Sequence, residues 1–325
     1  MTAFAQPRVV VVGDLMLDQL IVGDARRISP EAPIPVVSFG SETFVPGGAG
    51  NVARALVSLG ASADLFGVMG DDSGAGQLRA TLAQYHLPTN GLIVEPARPT
   101  TLKTRITAQR QQIVRLDRET NRPLARATQE ALITACCSAL RGAAAVIVTD
   151  YAKGCVDQRL VDVVLQEAQQ FNVPVCIDPK PGHPLAFHGC ALLTPNRREA
   201  FELAGLPDPG ATADPSRDPA LLAAIAQIQR THHAASLLVT LSEQGLLLVE
   251  GQQPPHHVPT VARQVYDVTG AGDTVIATFV LARAAGASSA EAAAIANLAA
   301  GIVVGKTGTA AATPEELLHW IEHTR

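Results

Sequence analysis

A glycine-rich motif that ends in an acid, Gly270-Ala271-Gly272-Asp273, is the part of the sequence best suited to chemistry. Residues 274–284 follow it and are apolar enough for a buried helix. A glycine turn that leads into a helix leaves N–H groups unpaired at the positive end of the helix dipole, which suits a phosphoryl group. Asp273 is then either the N-cap of that helix or a general base that faces a substrate hydroxyl.

Two acids near the N-terminus are candidates for binding sugar hydroxyls. Asp14 and Asp18 follow residues 8–13, an apolar run that is typical of a strand buried on both faces. Ligands of open parallel sheets bind beyond the carboxyl ends of the strands, where these two acids would lie. The alternative is that both are solvent-exposed loop acids.

A second glycine-rich motif offers further hydroxyl ligands. Gly47 and Gly48 allow a ligand to approach the backbone closely, and Asn51 supplies both donors and an acceptor. A flexible entry loop is the alternative interpretation. Asp72, in the turn of residues 70–74, is another candidate, although turn acids often bond only to their own backbone.

The composition argues against several classes of function. The 325 residues are 47% hydrophobic, which allows a large core, and the net charge of −5 without a basic block argues against nucleic-acid binding. No uninterrupted apolar run reaches membrane-spanning length, and the N-terminus lacks the features of a signal peptide. The five cysteines lack CxxC spacing, so we expect reduced thiols in a cytoplasmic protein. The pairs His232-His233 and His256-His257 lack metal-site spacing and are predicted in surface loops.

Strand and helix patterns alternate along most of the chain and indicate βαβ units. They predict one α/β domain over residues 1–325, a doubly wound and mostly parallel sheet flanked by helices. The predicted strands of this sheet cover residues 8–13, 63–69, 144–149, 174–177, 191–194 and 236–240, and helices are predicted over residues 52–60, 158–171 and 314–323.

Two shorter β-like segments, about residues 19–45 and 98–118, interrupt this alternation. We expect them to pair into a small lid, which would keep water from a reacting phosphate. A nicotinamide-dependent oxidoreductase is disfavoured because no G-x-G-x-x-G motif follows the first strand.

Three motifs resemble signatures of the ribokinase-like (PfkB) carbohydrate kinases. They are residues 47–51 together with 70–74, the N-x-x-E pattern of residues 196–199, and residues 267–274. They occur in the family's order, and the resemblance covers essentially the whole chain. It implies a doubly wound α/β fold with a small β lid, ATP as the phosphoryl donor, and Mg²⁺.

The resemblance also implies catalytic roles. Asp273 would take the proton from the anomeric C1 hydroxyl of a sugar, and the N–H groups of residues 270–272 would surround the transferring phosphoryl group. Asn196 and Glu199 would hold Mg²⁺ through water, because Mg²⁺ prefers oxygen ligands and keeps its waters. A helix-capping box is their alternative role.

The nucleotide site follows from the same resemblance. Thr240, Ser242 and Gly245 match the place where family members bind the ATP phosphates and the edge of adenine. Asn297 and residues 306–309, with Gly308 among them, would flank the nucleotide from the other side. Members often bind a monovalent cation such as K⁺ near the C-terminal motif, which places Asp267 and Thr269 beside it.

A narrower resemblance is to kinases of D-glycero-β-D-manno-heptose 7-phosphate. It rests on residues 11–18, 27–37, 111–117, 150–154 and 178–180, in the lid and at strand ends. It implies formation of the 1,7-bisphosphate on the route to ADP-heptose and lipopolysaccharide core. In many bacteria this kinase is fused to a nucleotidyltransferase domain, and this sequence resembles the stand-alone form.

A phosphorylated sugar requires cations at the far end of the substrate. Arg105, Arg110, Lys153 and Lys180 are the candidates, since Arg and Lys bind phosphate well. For each of them a solvated surface position is the alternative.

The open strand edges of the lid predict a homodimer joined through the lids, since proteins usually cover such edges. The expected partner molecule is a small sugar phosphate, with no nucleic acid and no membrane. Two other functions stay open at this point: another sugar or sugar-phosphate kinase of the same family, and a non-catalytic regulator that binds sugar or nucleotide on the same fold.

Overall fold

A computed structural model describes residues 6–109, 111–262, 265–306 and 308–323. Two sheets account for its strands. In chain order the strands of the described residues are β1 (Arg8–Gly13), β2 (Leu15–Ile28), β3 (Pro35–Gly48), β4 (Ser62–Met69), β5 (Leu92–Val94), β6 (Leu102–Ala108), β7 (Gln111–Arg118), β8 (Ala145–Thr149), β9 (Val175–Asp178), β10 (Leu192–Leu193), β11 (Ser236–Thr240), β12 (Leu246–Glu250) and β13 (His256–Val258).

The larger sheet has the strand order β13-β12-β11-β10-β9-β8-β1-β4-β5. All its pairings are parallel except those of β12, which is antiparallel to both of its neighbours. The predicted mostly parallel sheet is therefore confirmed.

Helices cover the larger sheet. Those of the described residues are α1 (Ala49–Ser58), α2 (Ser73–Gln84), α3 (Arg126–Ser138), α4 (Gln158–Gln170), α5 (Arg197–Ala204), α6 (Pro219–His232), α7 (Ala271–Ala284), α8 (Ser289–Val304) and α9 (Pro314–His323). None of the helices in the described ranges has both the length and the apolar character needed to cross a bilayer.

The central strand β1 shows why both faces of the sheet must be covered. Val9 to Val12 are completely buried, and alternate side chains point to opposite faces. Val10 and Val12 pack in one apolar layer with α3 and α4, whereas Val9 and Val11 pack in the other with α1 and α7. A continuous apolar run is the pattern that such two-sided burial requires.

The smaller sheet has the order β3-β2-β6-β7 and joins the two β-like segments predicted from the sequence. Its first segment is longer than expected at both ends. Only Asp14 separates β1 from β2, and β3 continues directly into α1 at Gly48 and Ala49.

Two helices begin earlier than predicted, since α1 starts at Ala49 rather than residue 52 and α7 at Ala271 rather than residue 274. In each glycine motif one residue, Gly48 or Gly270, has a positive φ, and the residues after it are already helical. Small residues within these motifs therefore belong to the helices and not to loops.

The expected surface-loop location of the histidine pairs is wrong. His232 is the last residue of α6 and is buried, and its Nδ1 accepts a hydrogen bond of 3.3 Å from the Phe187 amide. His256 and His257 lie in β13, at the edge of the larger sheet.

Candidate active site

A cavity of about 540 Å³ lies between the carboxyl ends of the central strands and the start of α7. It brings together residues that are far apart in the sequence. Those among its lining that were predicted from the sequence are Asn196, Glu199, Thr240, Ser242, Gly245, Gly270, Ala271, Gly272, Asp273 and Asn297.

The first turn of α7 forms one wall of the cavity. Gly270 is the N-cap, with φ of +79°, a conformation that glycine adopts without steric cost. The Ala271 N–H donates to the carbonyl oxygen of Val268 at 3.2 Å, so this amide already has a partner within the turn. The positive end of the helix dipole nevertheless faces the cavity, as anion binding requires.

Asp273 is the third residue of α7 and not its N-cap, so the capping alternative is wrong. Its side chain is buried and accepts two hydrogen bonds from distant parts of the chain. Asn51 Nδ2 donates to Oδ2 at 2.6 Å, and the Tyr151 hydroxyl donates to Oδ1 at 2.5 Å.

The pKa of Asp273 is raised to about 6, mainly because burial penalises the charged form. The hydrogen bonds from Asn51 and Tyr151 lower it, the charge of Asp18 raises it, and that of Arg54 lowers it. Asp273 is therefore largely ionised at pH 7 and still basic enough to accept a proton, which are the properties of a general base.

Asn51 contacts the acid rather than lying in an entry loop. It belongs to α1, and its Oδ1 accepts a hydrogen bond of 2.8 Å from Arg54. Its position beside Asp273 leaves it next to any hydroxyl that this acid would bind.

Asp14 is buried, so the alternative of an exposed loop acid is wrong for this residue. Its carboxylate accepts hydrogen bonds from the amides of Tyr151, Lys153 and Cys155 at 2.8, 3.1 and 3.0 Å. Burial raises the pKa of Asp14 while these three bonds lower it. Its structural effect is to fix the segment that carries Tyr151 beside Asp273.

Asp18 is also buried and forms an ion pair of 2.5 Å with Arg105. The exposed-acid alternative is therefore wrong here too. Gly47 is required beside it, because a Cβ at that position would lie 2.4 Å from Asp18 Oδ2. At Gly48 a Cβ would lie 2.4 Å from the carbonyl oxygen of Asp14.

Asp72 caps α2 and accepts hydrogen bonds from the amides of Ala75 and Thr100 at 2.9 and 3.0 Å. Burial would raise its pKa, but bonds from Thr100 and Ala75 outweigh burial and lower it. Its carboxylate bonds to the backbone, as turn acids often do.

Each described cation that was predicted to bind phosphate has an acidic neighbour. Besides the Arg105 pair, Lys153 Nζ lies 2.7 Å from Glu119, and Lys180 Nζ lies 3.6 Å from Glu199. Arg110 and Thr307 lie outside the described residues.

Asn196 and Glu199 form the predicted capping box of α5. Asn196 Oδ1 accepts from the Glu199 amide at 2.9 Å, and Glu199 Oε2 accepts from the Asn196 amide at 3.0 Å. Glu199 Oε1 is left to face the cavity and Lys180. Capping and metal binding are compatible in this geometry.

Asp178 is a third acid of the cavity, at the end of β9. Its pKa is raised well above its usual range by burial, by Asp273 and by Glu199. Within the described ranges no group of three metal-ligating side chains is spaced to bind an ion directly.

Thr240, Ser242, Gly245 and Asn297, the residues predicted to bind the nucleotide, all line this cavity. Asn297 Nδ2 donates to the Pro259 carbonyl at 2.7 Å. Gly308 has φ of +75°, a conformation common for glycine in turns, and it does not line the cavity.

Asp267 and Thr269 also lie outside the cavity lining. Asp267 Oδ1 accepts from the Thr269 amide at 2.9 Å, so the carboxylate supports the turn before α7.

Three residues of the site, Arg54, Tyr151 and Asp178, were not predicted from the sequence. For Tyr151 and Asp178 a signal existed, since both follow predicted strands whose carboxyl ends should meet at the site. Arg54 carried no such signal, because it lies inside a helix pattern and only the folded structure brings it to Asn51.

The pfkB family carbohydrate kinase model matches residues 6–316 of this chain. The chain belongs to the pfkB family of carbohydrate kinases. It is therefore a sugar kinase, a phosphotransferase with an alcohol group as acceptor, and the predicted family resemblance is confirmed.

Curated relatives include proteins named bifunctional protein HldE. Those of Azorhizobium caulinodans and Caulobacter vibrioides are 42% and 43% identical over 317 and 316 residues. Each match covers 97% of this chain but only 64% and 63% of the relative, so the chain spans less than two thirds of their length.

Two solved kinase structures share the fold. Phosphofructokinase-2 from Escherichia coli, in complex with substrates and products, has a TM-score of 0.79 at 20% identity, covering 99% of this chain and 100% of that one. Arabidopsis thaliana ribokinase, complexed with ribose and ATP, has a TM-score of 0.74 at 20% identity, covering 98% and 99%.

Proposed function

We propose that this kinase transfers the γ-phosphoryl group of ATP to the anomeric C1 hydroxyl of D-glycero-β-D-manno-heptose 7-phosphate, in the cytoplasm, on the route to ADP-heptose. The observation that carries the reaction type is the ionisable Asp273 at the start of α7, inside the cavity. The choice of sugar is supported by the heptose kinase resemblance of the lid and strand-end segments, and by the HldE relatives. The five unpaired cysteine thiols fit a reducing compartment.

In this reaction the C1 oxygen of the sugar attacks the γ-phosphorus of ATP, the bond from that phosphorus to the β-phosphate oxygen breaks so that ADP leaves, and Asp273 accepts the proton of the C1 hydroxyl. Tyr151 and Asn51 already occupy its two carboxylate oxygens, so the hydroxyl takes a remaining lone pair or replaces the tyrosine. The first-turn N–H groups of α7 other than that of Ala271, which already bonds to Val268, would face the charge that develops on the phosphoryl oxygens.

The opposite side of the cavity would hold the nucleotide, with Thr240, Ser242 and Gly245 at the phosphates and Asn297 beside the base. Mg²⁺ would neutralise the phosphates when bound. Asn196, Glu199 and Asp178 fit a hydrated Mg²⁺, because they offer oxygen ligands and because, besides burial, the charges of Asp273 and Glu199 raise the pKa of Asp178, a repulsion that a cation would relieve. We place a monovalent cation such as K⁺ near Asp267 and Thr269.

One face of the smaller sheet is suited to the 7-phosphate. In the strand register Lys103 of β6 lies opposite Asp18 of β2 and Asp117 of β7. Arg105 of β6 lies opposite Arg115 of β7. Directly paired and i, i+2 residues share a face, so three cations and two acids lie together. Like charges opposite one another are destabilising, and a phosphate would relieve that repulsion.

This basic face lies against the segment fixed by Asp14. Glu119 forms ion pairs with Lys103 of this face at 3.8 Å and with Lys153 of that segment at 2.7 Å. These two ion pairs connect the face to the segment. Asp18, on the same face, is close enough to Asp273 to raise its pKa. The smaller sheet would therefore cover the sugar as a lid.

A substrate panel tests this proposal. We expect ADP release with the heptose 7-phosphate and a value of kcat/KM for the unphosphorylated heptose that is lower by roughly 10- to 100-fold, since charged hydrogen bonds are worth about 1.5–3 kcal/mol. Arg105→Met should remove most of that preference, whereas Arg26→Met, an exposed arginine paired with Asp24 in the same sheet, should not. Turnover of ribose or fructose 1-phosphate alone would indicate a sibling kinase, and no turnover with any sugar a binding regulator.

We also propose a homodimer through the other face of the smaller sheet. That face carries Ile106, Val114 and Leu116, and Leu116 is 64% exposed. Exposed apolar patches of this kind mark association sites. Sedimentation should give a dimer at micromolar concentration, and Leu116→Glu should give monomers. A wild-type monomer at that concentration would contradict the dimer.

A further inference from the structure

Arg54 is a buried cation in the middle of α1, only 5% exposed. Its Nη2 donates to Asn51 Oδ1 at 2.8 Å and to the carbonyl oxygens of Thr309 and Ala310 at 3.0 and 2.9 Å. Its guanidinium lies 5.3 Å from the centre of the Tyr85 ring. Buried arginines are rare unless they are paired, and no carboxylate of the described residues forms an ion pair with this one.

A compensating charge, that of Asp273, is reached through the amide of Asn51. Asn51 accepts from Arg54 with Oδ1 and donates to Asp273 with Nδ2. A flipped amide would place its NH₂ against the guanidinium, so the orientation is fixed by Arg54. A donor to the amide oxygen also strengthens the amide as a donor, because hydrogen bonds in series polarise one another.

The other contacts of Arg54 fix it in space. Thr309 and Ala310 follow α8, their carbonyls hold the guanidinium in place, and the Thr309 side chain lies beside Gly270, the N-cap of α7. The Nε of Arg54 is buried and has no hydrogen-bond partner in the described part of the chain. A buried donor without a partner destabilises the folded state, so a contribution to stability alone does not explain an arginine at this position.

We propose that Arg54 is a positioning residue for phosphoryl transfer, which through Asn51 aims the carboxylate of Asp273 and supplies the positive charge that this buried acid lacks. The inference rests on the proposed role of Asp273 as the base. Arg54 itself does not line the cavity.

Other charges face Asp273 and must be counted in any pH dependence. Asp18 from the smaller sheet and Asp178 from the end of β9 are acids, and Tyr151 donates a hydrogen bond. Arg54 is the cation among the causes of the shifted pKa of Asp273, which it lowers. Removing it therefore raises that pKa and moves the acid limb of turnover to higher pH.

The experiment is the pH profile of kcat for three variants. Wild type should lose turnover as the pH falls through about 6, the pKa of Asp273. In Arg54→Met we expect the midpoint of this acid limb to move to higher pH by about one unit. That shift is at the low end of the roughly 1–3 pKa units that a neighbouring opposite charge contributes. The plateau kcat should fall by about ten-fold through misalignment, with both KM values nearly unchanged.

Two further variants separate charge, geometry and stability. Arg54→Lys keeps the charge but not the planar fork, so its acid limb should stay near that of wild type while its plateau kcat falls. Arg8→Met is the matched control, because Arg8 pairs with Asp64 and the Arg141 carbonyl at the other end of β1. It should lower Tm and leave the pH profile unchanged.

Titration of the Asp273 carboxyl group in the absence of substrates tests the role of Arg54 independently of turnover. The carboxyl carbon of Asp273, labelled with ¹³C and assigned by its loss in Asp273→Asn, reports the pKa directly. An unmoved titration in Arg54→Met would overturn the role of Arg54. A moved titration with an unmoved acid limb would support the Arg54 contact and overturn Asp273 as the base. Should Arg54→Met not fold, a wild-type plateau in Arg54→Lys would overturn the positioning role.

Discussion

Asp273→Asn should abolish most turnover and at the same time make the protein more stable. An amide cannot accept the proton of the sugar hydroxyl, and loss of a general base commonly lowers the rate by roughly 10²–10⁴. Because Asn fills the same volume and the cavity walls are unchanged, the KM for ATP should stay close to that of wild type. Steady-state ADP release measures both quantities.

The gain in stability follows from the raised pKa of the buried acid. Its pKa is 3.8 in the unfolded chain and about 6 in the fold, so the folded state favours the proton between these values. Above pH 6 the ionised acid therefore costs the fold up to about 3 kcal/mol, at roughly 1.4 kcal/mol per unit. Removing the charge should raise the free energy of unfolding at pH 8 by up to that amount, and less at pH 5.

Asp64→Asn is the control for this substitution. Asp64 pairs with Arg8 at 2.6 Å and lies in β4, away from the cavity. It should leave kcat unchanged and lower stability slightly, as partly exposed ion pairs contribute little. Full turnover in Asp273→Asn would contradict the mechanism but not the fold.

Gly270→Ala should lower kcat by displacing Asn51, which donates a hydrogen bond to Asp273. An alanine at φ of +79° costs roughly 1–2 kcal/mol, and its Cβ would lie 2.6 Å from Asn51 Nδ2. Asn51 cannot yield freely, since it is bonded to both Arg54 and Asp273. We expect its displacement to lower kcat by about 10²-fold, the effect that a misplacement of roughly 1 Å can have.

A second glycine separates backbone strain from this collision. Gly205 ends α5 with φ of +66°, and no atom lies within 4 Å of a Cβ added there. Gly205→Ala should therefore lower Tm through the same unfavourable φ and leave kcat unchanged. Equal losses of kcat in the two variants would show that strain, and not the contact with Asn51, is responsible.

Much of the fold and part of the site could be predicted because the signals are local. A fully apolar strand such as β1 predicts two covered faces, and polar residues at strand ends, such as Thr240 and Asn196, predict where the cavity opens. The capping box of Asn196 and Glu199 is likewise a pattern of neighbouring residues.

The rest of the site depends on contacts that no local pattern encodes. Asn51 and Asp273 are 222 residues apart, and Tyr151 and Asp273 are 122 apart. Asp14 was expected to meet a sugar, but its oxygens bind three amides of a segment over 130 residues away. Periodicity places such residues at the right edge of the sheet without saying which of them pair.

The short connections of the smaller sheet have a mechanical consequence. A single residue, Asp14, separates β2 from the central strand, and β3 passes into α1 at Gly48 with no loop between them. Any tilt of the smaller sheet against the larger one would have to be taken up by the torsion angles around these two residues. We therefore propose that closure of the smaller sheet over the cavity would turn α1, the helix that carries Asn51, and would move Asn51 relative to Asp273.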